Sequence, residues 1–445
     1  MDYHPSGCIA TDPRLRAYGY GLKGALLLIG CALCGATQAA PLPDQLDPDD
    51  SLRQFAELLD SRRDEDSDLG RLSMTLRDRN DRALTRRVLL GLRPELGRQV
   101  ALRRRGGLTR NPTATRRGRT ARRHGRPQPE RWDAAGPAVH RSNLTLSLNG
   151  LSAATGSGEP RAHRGGSLWL TAIFDEGEQD ERDDVPGYDE SARGFRVGYG
   201  VDLTPSLQLA LSGGRMTADI DSTDRGTDDV ESTNADVALT WSGRRQSVTL
   251  TGAFADHATD RIRPFEVPTA DGPRLLGLRA EIDSRQWGAG ATWSAFLASD
   301  GGWYANPFVG LDYGVLQTDN YEEVGLTSNA FALQVVSADD EQLFASIGAT
   351  VGHDAVLGDW LFSPSISVTV EHALIRDETE TSTRFRNSDF GFTATGFDIE
   401  PTRFSAGVSM SLLHLSGISL QAGVRLRRYA DYRFTGLSAT LSYLW

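Results

Sequence analysis

The sequence predicts an all-β fold in which about twelve antiparallel strands form a transmembrane β-barrel at the C-terminus, preceded by a short helical or disordered N-terminal region. Three observations support this prediction. Apolar residues alternate with small or polar ones from about residue 167, the runs approach the roughly 9–11 residues of a tilted membrane strand, and short and long links alternate. Only a closed barrel satisfies every backbone hydrogen bond in lipid, so these features favour a barrel over an open sheet.

The alternation is clearest in the final ten residues, GLSATLSYLW. Successive strand residues point to opposite faces. One face of this strand is apolar and aromatic, and it carries Leu437, Ala439, Leu441, Tyr443 and Trp445. A β-sandwich also shows such alternation, but its polar face meets water and its connections are short at both ends. Because the would-be interior face of the whole set of runs is Gly, Ser, Thr, Arg and Asp, we expect lipid outside and a polar lumen inside.

The same alternation predicts charges of both signs in the lumen. These residues are Arg196, Asp202, Asp236, Asp312, Glu371, Arg403, Arg425 and Arg427. A lumen with both signs could hold a chain loosely, and in a wet pore we expect each charge pair to contribute no more than about 1 kcal/mol.

The links give the orientation of the barrel. The runs begin near residues 167, 194, 206, 230, 246, 279, 303, 338, 360, 402, 417 and 432. Links after even runs are short, such as TPS and HLSG, whereas most links after odd runs are long and charged, such as RIRPFEVPTADGPRLLG. This pattern puts both barrel ends on the short-turn, periplasmic side. Trp303, Trp360 and Trp445 lie near run ends, where an interfacial aromatic girdle is expected.

Residues 1–40 fit a secretion signal, with the charged stretch RLRAYGYGLK, the apolar stretch ALLLIGCALCGA and small residues in ATQAA. The apolar stretch is too short for a membrane span. All three cysteines lie within the first 34 residues, so cleavage near Ala39 or Ala40 would leave a chain without cysteine. An alternative stays open, because Leu28-Ile29-Gly30-Cys31 fits a lipoprotein processing site.

Residues 41–140 are expected to form a short exported segment or an Arg-rich disordered region. Leu52, Phe55, Ala56 and Leu59 recur at helical spacing, which predicts short amphipathic helices within residues 50–92. Residues 98–131 then hold twelve Arg and one acid, a composition that cannot bury a core. Residues 141–166 are rich in Gly and Ser and read as a linker that could enter the pore, and residues 167–445 form the barrel.

Composition and motifs argue against several functions. A net charge of −11 does not favour nucleic-acid binding, and neither G-x-S-x-G nor H-E-x-x-H occurs. Asp256 and His257, and likewise His372 and Asp377, resemble the rim residues of outer-membrane proteases, but neighbouring strand residues point to opposite faces. Some outer-membrane barrels cut themselves at an Asn near the pore, and Asn149 is a candidate by position only. An Asn before Gly is more often a turn residue. We expect no enzyme activity, cofactor or metal.

The stretch SLWLTAIFDE, the loop ending in GYDESARGFRVGYGVDL, the segment LALSGGRMTADID and the closing aromatic strand together resemble the autotransporter β-domain of Gram-negative bacteria. The resemblance covers about residues 166–445. It implies a twelve-stranded outer-membrane barrel of the type V secretion pathway that carries an N-terminal passenger to the cell surface. It also implies that the last strand, ending in Trp445, is read by the barrel-assembly machinery.

The expected surroundings are outer-membrane lipid and lipopolysaccharide, the barrel is expected to be monomeric, and the chain is expected to be exported through the inner membrane. Two departures stand out. The family's passenger is usually a long β-helix, whereas only about 100 residues are available here, and the family's pore helix has no clear counterpart in residues 142–166, where NLTLSL could even be an extra strand. A second function therefore stays open: a barrel whose passenger is lost, acting as an adhesin or pore through its long loops.

Overall fold

A computed structural model describes an N-terminal helical part and a C-terminal barrel. The described residues are 41–46, 53–61, 63, 68–79, 81–92 and 165–445, the last range without 182–186, 223–225, 270–271, 299–300, 327, 330, 377–379, 387–390, 396–400 and 430–431. The predicted signal peptide, the Arg-rich run 98–131, Asn149 and Asp377 lie outside them. No helix within the described ranges is both long enough and apolar enough to cross a bilayer.

Twelve antiparallel strands close the barrel, each paired with the next along the chain, and the first paired with the last. They are β1 (Gly166–Gln179), β2 (Tyr188–Thr204), β3 (Leu207–Ser222), β4 (Gly226–Ser242), β5 (Gln246–Thr269), β6 (Gly272–Ala295), β7 (Trp303–Thr318), β8 (Ala338–His353), β9 (Trp360–Arg376), β10 (Thr402–His414), β11 (Ile418–Tyr429) and β12 (Tyr432–Leu444). The predicted architecture, a twelve-stranded barrel after a short helical region, is confirmed.

Side-chain exposure follows the alternation in the sequence. Phe174, Phe195 and Leu441 are more than half exposed on the outside, whereas Thr171 and Thr440 are buried. In a membrane barrel the outward apolar side chains meet lipid. The turns at 205–206, 243–245, 296–302, 354–359 and 415–417 define the short-turn end of the barrel, and the opposite end is called the long-loop end.

Aromatic rings cluster at the short-turn end. The ring of Trp303 contacts that of His353 with 5.0 Å between centroids, and Trp360 contacts His414 at 4.7 Å. Trp445 lies 5.9 Å from Tyr443 on the outer face of the last strand. These rings have the position of an interfacial girdle.

Glycine on the lumen face makes room for neighbouring aromatic rings. A Cβ atom added to Gly198 would lie 2.1 Å from the indole ring of Trp169, which is buried inside the barrel. In the same way, a Cβ atom at Gly348 would lie 2.2 Å from the ring of Phe308. The small residues of the polar face are therefore required by packing as well as by polarity.

The strands extend further at the long-loop end than the sequence predicted. β2 begins at 188 rather than near 194, β4 at 226 rather than near 230, and β6 at 272 rather than near 279. The segment 261–277, predicted as a loop, continues β5 and β6 into a protruding hairpin whose tip is at 270–271. Each of these two strands has 24 residues and is about 80 Å long at 3.3 Å per residue, which is much longer than is needed to cross a bilayer.

The two remaining long loops form a separate small sheet. Its four strands run in the order Gly391–Thr395, Glu380–Phe385, Leu333–Val335 and Tyr321–Glu322. The first two belong to the link between β9 and β10, and the other two belong to the link between β7 and β8. Three further short strands, Leu297–Ala298, Val324–Gly325 and Ala355–Leu357, extend the barrel sheet locally.

The described residues of the N-terminal part form a 3₁₀ turn, Leu42–Gln45, and three helices: α1 (Arg53–Ser61), α2 (Asp68–Arg79) and α3 (Arg82–Leu92). We call this part the helical unit. Asp81 caps α3, since its carboxylate accepts a 3.0 Å hydrogen bond from the backbone N–H of Leu84. Arg77 of α2 pairs with Asp60 of α1 at 2.8 Å. Short helices of this size are marginal alone, so their stability depends on what their apolar faces cover.

Candidate functional site

The seam between β1 and β12 closes the barrel. It runs in continuous register from Ser167 opposite Leu444 to Gln179 opposite Tyr432. At its short-turn end, Gly166 and Trp445 exchange two backbone hydrogen bonds of 3.2 and 3.1 Å. Inside the barrel the hydroxyls of Thr171 and Thr440 lie 2.9 Å apart.

The five residues of the predicted assembly signal share the outer face of this closing strand. All of them are exposed: Leu437, Ala439, Leu441, Tyr443 and Trp445. The terminal residue is therefore held at the seam through its backbone, while its ring lies outside against that of Tyr443. The apolar stripe therefore faces outward from the barrel.

A buried ion pair crosses the lumen side of β2, β3 and β4. The guanidinium of Arg196 lies 2.9 Å from the carboxylate of Asp236, and both side chains are only 1% exposed. Ser212 of the intervening strand donates a 3.1 Å hydrogen bond to the same carboxylate. The expectation of a wet lumen does not hold at this pair, because its charges are removed from solvent.

The other predicted lumen charges differ in burial. Asp312, Glu371 and Arg403 are buried, whereas Asp202, Arg425 and Arg427 are half-buried. Glu371 and Arg403 stand opposite each other in the β9–β10 register.

Two of these arginines also face aromatic rings. The guanidinium of Arg403 lies 4.2 Å from the ring centroid of Phe344, and that of Arg427 lies 5.5 Å from the ring centroid of Phe434. Both distances are within the range of a cation–π interaction. The lumen face thus combines fixed charges of both signs, and within the described ranges no group of three or more His, Cys, Asp or Glu could hold a metal ion.

The Asp and His residues that resemble those at the rims of outer-membrane proteases do not come together in one site. Asp256 points outward, 3.8 Å from Arg285, while His257 points inward and lies 2.7 Å from the hydroxyl of Ser232. His372 is exposed and lies 2.9 Å from the hydroxyl of Thr402. The serine beside His257 was not predicted, because only the β4–β5 register brings the two together.

At the long-loop end, two buried bidentate ion pairs stabilise the base of the protruding hairpin. Arg261 donates to both carboxylate oxygens of Asp228 at 3.0 Å. Arg263 donates to both oxygens of Glu323 at 2.9 and 2.5 Å, and so ties the β7–β8 link to β5. Burial raises the pKa of the neighbouring Tyr321 to about 12. Bidentate pairs of this kind fix geometry as well as charge.

The hairpin and the two long loops present one apolar surface, which we call the platform. It consists of Val267, Leu276, Leu278, Ala280, Ile282, Tyr321, Phe331, Ala332, Leu333, Val335 and Phe385. The helical unit covers it and adds Leu42, Leu46, Phe55, Ala56, Leu59, Leu69, Leu72, Leu76, Val88, Leu89 and Leu92 to the same buried cluster. Helices and loops therefore share a single hydrophobic core.

Specific contacts fix the position of the helices on the platform. The ring of Phe55 in α1 lies 4.7 Å from that of Phe392 and 6.4 Å from that of Phe385, measured between centroids. Arg79 at the end of α2 donates a 3.2 Å hydrogen bond to the carbonyl of Thr269 beside the hairpin tip. The sequence showed that the helices have apolar faces, but not that the barrel's own loops cover them.

Comparison with known proteins agrees with this architecture. The family model described as "Autotransporter beta-domain" matches residues 168–425, which is 258 of the 445 residues. No curated protein matches the sequence. The translocator domain of autotransporter NalP from Neisseria meningitidis is 13% identical with a TM-score of 0.50, and the match covers 63% of this chain and 89% of that one.

A second solved structure, the β-domain of the Bordetella autotransporter BrkA, is 12% identical with a TM-score of 0.41, covering 62% of this chain and 98% of that one. The likeness to NalP shows the fold alone, and the family match covers more than half of the sequence. The chain therefore belongs to the autotransporter β-domain family.

Proposed function

We propose that this protein is an outer-membrane translocator that exports its own N-terminal helical unit and anchors it at the cell surface. Membership of the family makes the barrel an outer-membrane translocator domain. The observation that supports export of this particular segment is positional. The helical unit covers the platform at the long-loop end, whereas β1 begins at Gly166 at the short-turn end.

The chain between these two points has to pass from one end of the barrel to the other. Residues 93–165 connect α3 to β1, and at about 3.3 Å per residue they could reach roughly 240 Å. A strand of 14 residues such as β1 spans about 46 Å, so the connection is long enough several times over. We propose that part of the linker 141–166 runs through the lumen, where the half-buried charges of both signs, Asp202, Arg425 and Arg427, can hold it without trapping it.

The remaining parts of the proposal concern partners. The outward stripe ending in Trp445 is the surface that the barrel-assembly machinery would recognise, and outer-membrane lipid and lipopolysaccharide would surround a monomeric barrel. We propose no catalytic role, since Asp256 and His257 point to opposite faces. Residues 1–40 would direct export through the inner membrane.

Single cysteines labelled in intact cells test the location of the helical unit. Met74→Cys places the thiol on the exposed side of α2, Leu275→Cys places it on the protruding hairpin, and Asp359→Cys places it in a short turn. A membrane-impermeant maleimide should label the first two in intact cells and the third only after the outer membrane is permeabilised.

Two results would contradict the proposal. Labelling at Asp359→Cys but not at Leu275→Cys in intact cells would show that the short-turn end, not the long-loop end, faces the outside. If Leu275→Cys is labelled in intact cells but Met74→Cys reacts only after permeabilisation, the helical unit lies inside the outer membrane. The second result would favour the alternative function, a barrel that acts as an adhesin or pore through loops without an exported segment.

A further inference from the structure

We propose that the platform is a docking site for the chain's own helical unit. The platform holds this unit by non-covalent contacts and keeps it bound after the connecting chain is cut. The place of this docking at the cell surface rests on the function proposed above. The docking itself concerns contacts within the folded protein and can be tested apart from location.

The first support is the shared core. Among the described residues, the helical unit and the platform each contribute eleven apolar side chains to one buried cluster. Burial of apolar surface is the dominant favourable term in association. Contact with the platform should therefore contribute most of the energy that holds the helices in place.

The second support is the small size of the helical unit. Its helices have 9, 12 and 11 residues, and isolated helices shorter than about 12–15 residues are marginal in water. The whole unit lies within residues 42–92. It is smaller than a domain of about 60 residues, which already buries only about 60% of its surface and is marginal on its own. The helical unit should therefore be folded on the platform and unfolded when it is released.

The third support is that contacts within the barrel sequence itself fix the shape of the platform. Glu323 accepts two hydrogen bonds from Arg263 and a third, of 3.1 Å, from the backbone N–H of Leu333. These bonds fix the β7–β8 link against the hairpin from within the barrel sequence. A pre-formed surface loses less conformational freedom on binding, which favours a long-lived complex.

The sequence itself provides a specific cut. Lys23 is the one lysine in the chain, so a new lysine after the helical unit creates a single downstream site for a lysine-specific endoprotease. Arg104→Lys and Arg119→Lys keep the charge and give two positions for the cut. The purified full-length protein in detergent is digested, boiled samples show that the cut has occurred, and size-exclusion chromatography shows whether the two fragments elute together.

We expect the fragment that carries α1–α3 to elute with the barrel fragment. Leu72→Ala, at a side chain only 2% exposed, should weaken this retention at least tenfold, whereas Met74→Ala, at a side chain 46% exposed in the same helix, should leave it unchanged. On the barrel side, Phe385→Ala should weaken retention as Leu72→Ala does, and the exposed Val336→Ala serves as its control.

Hydrogen exchange on the uncut protein measures the same coupling without cleavage. Phe385→Ala on the barrel should lower the protection of amides in α1 at least tenfold while the barrel amides keep theirs. Separation of the unmodified fragments on the column, or unchanged α1 protection in Phe385→Ala, would overturn the docking proposal. Because both measurements use purified protein, their failure would leave the surface-labelling test of export unaffected.

Discussion

Replacing Arg196 with Met should strongly destabilise the barrel, because it leaves the carboxylate of Asp236 buried without its cation. The two groups lie 2.9 Å apart with both side chains 1% exposed, so neither has water as an alternative partner. Breaking a buried pair by removing one member typically costs about 3–5 kcal/mol. That loss is a large fraction of the roughly 5–15 kcal/mol by which folded proteins are stable.

The double variant Arg196→Met with Asp236→Leu should recover most of this loss, because it removes both charges and replaces them with apolar volume. Arg215→Met is the matched control. Arg215 lies on neighbouring β3 and pairs with Glu231, but the two side chains are 57% and 60% exposed, so its loss should cost at most about 1 kcal/mol.

The assay is urea unfolding of protein refolded into lipid vesicles, followed by the difference in gel migration between unboiled and boiled samples. With Asp236→Leu alone as the second single variant, the double-mutant cycle isolates the pair energy. Equal midpoints for Arg196→Met and Arg215→Met would mean that the lumen charges are solvated, and the assignment of a dry pair would be wrong.

Three further outcomes are expected. Gly198→Ala should cost about 1–3 kcal/mol by overpacking against Trp169, whereas Gly314→Ala, whose added Cβ would meet only a backbone oxygen at 3.8 Å, should be close to neutral in the same urea titration. Deleting Tyr443–Trp445 should lower the amount of barrel in the outer membrane more than the stability of barrel already folded, and normal membrane levels would refute this. The pKa of Tyr321 is raised to about 12 in the folded protein, against about 10 in the unfolded chain. Its contribution to stability is therefore present below about pH 10 and is lost as the pH rises through about 12. Tyr321→Phe should remove this alkaline loss from a plot of unfolding free energy against pH, and an unchanged plot would show that Tyr321 is not its source.

The barrel could be predicted from sequence because each membrane strand carries its own signal. For example, the alternation from Phe404 to Leu412 in β10 predicts an apolar face and a polar face from the residues of that strand alone. The starts at 246, 303, 338, 360, 402 and 432 agree with the structure to the residue.

The protruding hairpin could not be predicted in the same way. Pro264, Pro268 and Pro273 indicate a loop, since proline cannot donate to a sheet ladder. Within the described residues, β4 pairs with β5 only as far as Ile262, and β6 has no strand pairing on its other side before Leu278. All three prolines therefore lie where their strand has a sheet partner on one side only. Beyond the bilayer the outward face no longer has to be apolar, and the alternation that marks a membrane strand disappears.

The platform and its occupant were also beyond prediction. The helical spacing of Phe55, Ala56 and Leu59 showed that an apolar face exists, but periodicity does not identify the surface that covers it. Phe385 and Phe392 lie more than 300 residues away, in a link whose composition is mostly charged and polar. Only the pairing of two loops into one sheet brings these rings to Phe55.

The central claim is that this barrel presents its own N-terminal helical unit on the outer side of the membrane, bound to its long loops. Arg79→Cys and Thr269→Cys test it directly, since the side chain of Arg79 reaches the carbonyl of Thr269. Intact cells that carry both cysteines and Arg119→Lys are treated with a membrane-impermeant bis-maleimide, and the protein is then purified and cut at the new lysine. The account predicts that the two fragments remain joined on a boiled denaturing gel, and that either single-cysteine control separates. Complete separation with both cysteines present, while each is labelled in intact cells, would contradict it.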